Sequence, residues 1–242
     1  MNIVVFGSNS KTFSAVISEI GHKYKIFGIS RGSNSTNNSL LNKHLKLDLL
    51  NFEEEYLEAT LTEFQPDCFI SMVRYRNRQE TRNNLEQSLE TELKPLIIIR
   101  NWLSKNPPIK PISIILASSV AATQYRPELP IEYSVTKAAT EKFLTAIDSQ
   151  FPLSAKQMIW PNIINLSAYE LLSHTKEHAT NEFEIYKSKV TPYIGELTNE
   201  RHISKVFETL IEAHKFGLRR QRITVDCGLS DFSMLSSLEI AE

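Results

Sequence analysis

Short apolar runs alternate along the chain with longer stretches in which apolar residues recur every three or four positions, a rhythm that predicts strands interleaved with helices. Ile3 to Phe6 is uninterrupted and apolar, which predicts a strand buried on both faces, and Phe13 to Ile20 has the spacing of a helix. Tyr24 to Ile29 predicts a second strand, followed by the polar loop Gly32 to Ser39, and Leu45-Lys46-Leu47-Asp48 predicts a third. A helix from about Asn51 to Phe64 leads to the strand Cys68 to Val73. Arg82 to Ser104 carries a long amphipathic helix, which Pro107-Pro108 separates from the strand Ile112 to Ala117. The helix Tyr133 to Asp148 comes next, then the strand Ala155 to Trp160 and a polar helical excursion from about Ala168 to Ser188. A helix near Arg201 to His214 and a last strand, Arg222 to Cys227, complete the pattern. Seven strands in this rhythm predict an α/β fold with one doubly wound, mainly parallel Rossmann-type sheet and helices on both faces. A ligand crevice is then expected beyond the strands' carboxyl ends. A chain of 242 residues suits a single domain of this kind over 1–242.

With 27 basic against 28 acidic side chains the net charge is −1, so no electrostatic footprint for nucleic acid or an anionic membrane is present. The first residues read as a buried strand rather than a signal segment, and no apolar run reaches membrane-spanning length; a cytoplasmic protein without membrane contact is expected. Cys68 and Cys227 each lie in an apolar strand-like stretch with no nearby cysteine, which fits buried thiols. His174 and His178 are one helical turn apart but lack a third ligand, so no metal is expected. Trp102, Phe143, Phe151 and Trp160 fit a core or subunit contact better than a base-stacking platform.

The chemistry concentrates on two segments. Of the eight tyrosines only Tyr133 has a lysine, Lys137, four residues on, and residues at that spacing share a helix face. An ammonium beside a phenol stabilises the ionised phenol: at ~5 Å and an effective dielectric of ~20 the attraction is about 3 kcal/mol. The serine pair Ser118-Ser119 closes the apolar run Ile114 to Ala117 a short distance earlier, and a hydroxyl at a strand end can hold a substrate oxygen.

Ile114-Ile115-Leu116-Ala117-Ser118-Ser119, followed by Tyr133-Ser134-Val135-Thr136-Lys137-Ala138-Ala139, resembles the serine and Tyr-x-x-x-Lys segments of the short-chain dehydrogenase/reductase family, in order and at about the usual separation. Pro161 matches the family's proline-containing nicotinamide loop, in which Ile164 also falls; Asp48 stands where the family places an aspartate near the adenine; and Val225 to Ser230 looks like its last strand and turn. The resemblance extends over nearly the whole chain. It implies that Tyr133 is the proton donor in reduction and the base in oxidation, that Ser119 binds the substrate oxygen, and that Lys137 binds the nicotinamide ribose. It further implies a segment covering the substrate from about 167 to 193, and a homodimer or homotetramer formed through the helices Arg82 to Ser104 and Tyr133 to Asp148.

Several positions depart from that pattern. The family's Gly-x-x-x-Gly-x-Gly turn appears as Gly7-Ser8-Asn9-Ser10-Lys11-Thr12-Phe13, with Lys11 and Phe13 at the second and third glycine positions. Amides from Ser8 to Thr12, the Lys11 ammonium and the Ser10 and Thr12 hydroxyls would then hold the phosphates; in the rival reading the pocket has closed. The Asn-Asn-Ala-Gly turn appears as Ser71-Met72-Val73-Arg74, Glu92 stands where an asparagine completes the family's catalytic tetrad, and Asn162 replaces the glycine after Pro161. Arg31 follows the second strand, where the family places a base for a 2′-phosphate, so NADP(H) is favoured over NAD(H). Arg74, Arg76 and Arg78 cluster near the expected crevice mouth and fit a solvated loop better than a ligand site. The expected activity is reduction of a small ketone or aldehyde, or oxidation of the matching alcohol. The alternative, motivated by the lost glycines and Glu92, is a catalytically weak or inactive relative that binds nucleotide or serves as a scaffold.

Overall fold

The computed structural model describes residues 1–32, 39–75, 84–124, 130–166 and 200–225. Much of the polar loop after the second strand, Arg76, Arg78, the expected excursion at 168–188, the substrate cover at 167–193, Cys227 and the turn ending at Ser230 lie outside these residues.

The described strands are β1 (Asn2–Phe6), β2 (Lys25–Ser30), β3 (Lys43–Lys46), β4 (Cys68–Ser71), β5 (Ile112–Ser119), β6 (Ile159–Leu166) and β7 (Arg222–Val225). They form one seven-stranded sheet in the order β3-β2-β1-β4-β5-β6-β7, parallel at every pairing. The described α-helices are α1 (Lys11–Ile20), α2 (Glu54–Phe64), α3 (Leu85–Lys105), α4 (Ile131–Ala146), α5 (Leu153–Met158) and α6 (Glu200–Ile211). No described helix is long and apolar enough to cross a membrane.

Alternation along β1 shows why its apolar run has no polar position. Ile3 and Val5 pack with Phe13, Val16, Ile17 and Ile20 of α1 and with Ile203 and Phe207 of α6. Val4 and Phe6 pack on the other face with Leu57 and Leu61 of α2 and Leu96, Ile99 and Trp102 of α3. Helices therefore cover both faces, and a parallel strand between them has to be apolar throughout. Each such aliphatic or aromatic side chain contributes about 1.5–3 kcal/mol through burial. The strand β3, at the edge of the described sheet, is the polar one, Lys43-His44-Leu45-Lys46 with both lysines exposed, a composition that guards an edge. Cys68 is a fully buried free thiol whose pKa is pushed up by burial and then by the Asp67 charge.

One strand begins later than its pattern predicts. The stretch from Ala155 to Trp160 begins as α5, and β6 runs from Ile159 to Leu166. Ala155, Lys156, Gln157 and Met158 favour a helix, and Pro152 starts it by accepting from the Lys156 amide at 2.8 Å. Pro161 had suggested a strand end. It lies inside β6, paired with Ile114, and its carbonyl accepts from the Arg220 amide at 2.7 Å. The donor that proline lacks thus faces the chain just before β7, where no ladder has yet begun, so the sheet loses nothing.

The order of strands reverses between β1 and β4, and the turns leaving both meet there. Gly7, at φ +86°, follows β1; a Cβ on it would lie 2.9 Å from the Met72 carbonyl group just past β4. Only glycine fits this contact.

Candidate active site

Helix α4 packs against α3, β5, β6 and the 3-10 turn Val120–Ala122 that follows β5. The face it turns inward carries Thr136, Lys137, Thr140, Glu141 and Leu144, all buried, with Tyr133 half-buried at its first turn. The i, i+4 spacing read from the sequence therefore places Tyr133 and Lys137 on one inward stripe, with Lys137 Nζ 5.8 Å from the centre of the Tyr133 ring.

Lys137 is 5% exposed and Glu92, from α3, is 3% exposed; Nζ and Oε2 are 2.8 Å apart. The other Glu92 oxygen, Oε1, accepts from the Tyr75 amide at 3.0 Å. Glu92 thereby ties α4 to the turn leaving β4. Two charges this deeply buried are tolerable only because they neutralise each other.

Arg74 leaves β4 on that turn and lays its guanidinium over the Tyr133 ring, Cζ 4.4 Å from the centroid. It is not merely a solvated loop residue, as its sequence context suggested, although its side chain is exposed. Nothing in the local sequence reveals the stacking, because its partner is brought up from α4.

Ser119 ends β5, beside Leu166 at the end of β6, and is 7% exposed. Its Oγ accepts from the Ala121 amide at 3.2 Å, which leaves its own hydrogen to donate. Ser118 points to the opposite face. Its hydroxyl lies with the Glu141 carboxylate, which is paired with Arg222 at 2.6 Å. Burial raises the Glu141 pKa above the ordinary carboxylate range despite the opposing influence of Ser118, Arg222 and Lys137. The Glu141–Arg222 pair was missed in the sequence, although Glu141 stands one turn beyond Lys137.

The β1–α1 turn is tightly built. Gly7 N donates to the Ile29 carbonyl at 2.8 Å, and Ser10 N donates to the Gly7 carbonyl at 2.9 Å. Ser10 caps α1 by accepting from the Phe13 amide at 3.0 Å. Ser8 is fully buried against Gly28, and the Asn9 side-chain amide approaches Gly32. Thr12 lies in the first turn of α1, which Lys11 opens; the expectation for the Lys11 ammonium falls outside the described side chains. Phe13 is 1% exposed and belongs to the core under α1, so its ring does not fill the crevice. Arg31 is exposed just past β2, and Asp48 is exposed past β3, its carboxylate accepting from the Leu50 amide at 3.1 Å.

Pro161 and Ile164 do not stand in a loop, as the resemblance implied. Both lie within β6 rather than in a loop beyond it, and Ile164 is fully buried in the core. Asn162 is likewise a structural residue, donating to the Leu218 carbonyl at 3.1 Å and accepting from the Gln221 amide at 2.9 Å. The chain past Leu166, where the crevice end of this strand lies, is outside the described residues.

No protein-family model matches the sequence, and comparison with curated proteins gives no match. Solved structures are similar over nearly the whole chain. They include a 3-oxoacyl-(acyl-carrier protein) reductase from Brucella melitensis in complex with NAD, at TM-score 0.75 and 17% identity over 95% of this chain and 96% of that one. A 4-hydroxyisoleucine dehydrogenase complexed with NADH gives TM-score 0.74 at 19% identity over 95% and 98%. A chain from Burkholderia xenovorans assigned as a short-chain dehydrogenase/reductase gives 0.75 at 12% over 95% and 96%. The fold is that of the short-chain dehydrogenases/reductases. Against the short-chain dehydrogenase/reductase pattern, Arg74 stands at a glycine position and Glu92 at an asparagine position. These two substitutions meet at the same tyrosine and lysine.

Proposed function

We propose that the protein is an oxidoreductase that interconverts a small ketone or aldehyde and the matching alcohol, with NADP(H) favoured over NAD(H). The observation that carries this reading is the buried Lys137 ammonium, held by Glu92 beside the Tyr133 ring near the carboxyl ends of β4 and β5.

The residues at the crevice fit a dinucleotide. Phe13 is withdrawn into the core, Gly7 keeps the tight turn at the strand-order reversal, and Arg31 is exposed where a 2′-phosphate would lie. The turn from Gly7 to Thr12, Arg31 and Asp48 would hold the cofactor, and Lys137 its ribose. When bound, the nicotinamide supplies or takes up a hydride. The chain itself handles the proton and the oxygen. The Tyr133 hydroxyl gives its proton to the substrate oxygen in reduction and takes one back in oxidation, and Ser119 donates a hydrogen bond to the same oxygen. Lys137 supports the phenolate that Tyr133 becomes. Glu92 fixes the ammonium in place and, by sharing its charge, leaves less of it for the phenol.

A non-catalytic relative is the second reading. The self-capped start of α1 and the neutralised Lys137 favour it. Replacing Tyr133 by Phe separates the two. In an oxidoreductase, Tyr133→Phe lowers kcat by at least about 100-fold while retaining dinucleotide binding; turnover that persists in the variant removes Tyr133 from the role of proton donor.

A further inference from the structure

We infer that Arg74 is the anchor for a substrate carboxylate, so that the carbonyl substrate is a short oxo acid and the alcohol its hydroxy acid. This rests on the oxidoreductase reading only for the fate of the carbonyl; the anion site stands on its own geometry. The Arg74 guanidinium lies 4.4 Å from the Tyr133 ring centre. A guanidinium over a ring directs its N–H groups outward in its own plane, a fork that suits a carboxylate and fixes its orientation. Among the described residues no carboxylate or carbonyl occupies that fork, and the side chain is exposed.

The surrounding charge strengthens the case. Glu92, which holds the backbone beside Arg74, spends one oxygen on the Lys137 ammonium and the other on the Tyr75 amide, so its charge is already used. Glu141, one turn further along α4, is bound to Arg222. Among the described residues Arg74 has no ion-pair partner beside the Tyr133 ring. The backbone also holds it there: Met72 N donates to the Phe6 carbonyl at 2.9 Å, and Tyr75 N is bound to Glu92, so Arg74 sits between two fixed points of the turn. A carboxylate seated on the guanidinium and a carbonyl oxygen seated on the phenol of the ring beneath it can belong to one small molecule.

The test pairs short 2-oxo and 3-oxo acids with their methyl esters. The full-length protein and its Arg74→Ala and Arg74→Lys variants are assayed for turnover with NADPH, and binding of each probe is measured by calorimetry with and without NADP+. The acid should be preferred to its ester by at least about tenfold in kcat/KM and in affinity. Arg74→Ala should collapse that ratio to near one, and Arg74→Lys should keep part of it. Equal handling of acid and ester, a preference that survives Arg74→Ala, or no binding of any acid overturns the inference. So does an Arg74→Ala variant that keeps the preference and loses NADPH affinity, because it assigns the guanidinium to the cofactor instead. If no carbonyl is reduced but an acid preference in binding disappears with Arg74→Ala, the anion site stands and the oxidoreductase reading falls.

Discussion

Glu92 and Lys137 are each almost completely buried, so neither can lose its partner without leaving a charge in a low-dielectric setting. Glu92→Ala is expected to cost about 3–5 kcal/mol in urea unfolding, and the double variant Glu92→Leu with Lys137→Met to cost clearly less than the single change. A single variant as stable as the parent would show that the pair does not form. Asp67 gives a prediction in pH. Burial raises its carboxyl, but the Lys110 hydrogen bond, the Asn2 amide at 2.8 Å, the Lys110 charge and the N-terminal charge outweigh that, and the pKa is lowered. A folded-state pKa below the unfolded value of about 3.9 stabilises the fold above that pH, and the contribution is lost as pH falls through the folded value. Asp67→Asn should therefore lower stability near neutrality and flatten its decline below about pH 4. Parallel stability curves for the two proteins would exclude this contribution.

At the level of elements, α1 joins the site to the core. Its Ser10 cap closes the Gly7 turn, while Phe13, three residues on, is packed under the helix with Met72 and Phe207 in one cluster. Phe13→Ala should cost about 3–5 kcal/mol in thermal or urea unfolding without tightening dinucleotide binding. Improved binding in that variant would mean that the ring obstructs the crevice. The element pattern also shows what the sequence could and could not tell. β1, β4 and β5 were legible because strands buried on both faces are continuously apolar, and Tyr133 and Lys137 because a helix repeats one face every four residues. The start of β6 differs from expectation because Pro161 normally marks a break, whereas here its missing donor faces the chain just before β7, where the ladder has not yet begun. The contacts of Arg74 with Tyr133 and Glu92 with Lys137 join α4 to the β4–α3 region. No local periodicity encodes such pairings, although the family pattern had marked position 92.

At the scale of the molecule, the reversal of strand order between β1 and β4 sets the site. It brings the Gly7 turn against Met72, the β4–α3 turn against α4, and Arg31 to the end of β2, so that the Gly7 turn, Arg31 and the Tyr133–Lys137 pair all lie at the carboxyl ends of the central strands. The most direct measurement is a calorimetric titration of the full-length protein with NADPH and with NADH, repeated for Arg31→Ala. Saturable NADPH binding below about 1 mM, tighter than NADH by roughly tenfold and losing that margin in Arg31→Ala, is the predicted result. No heat of binding from either dinucleotide at millimolar concentration would contradict the account.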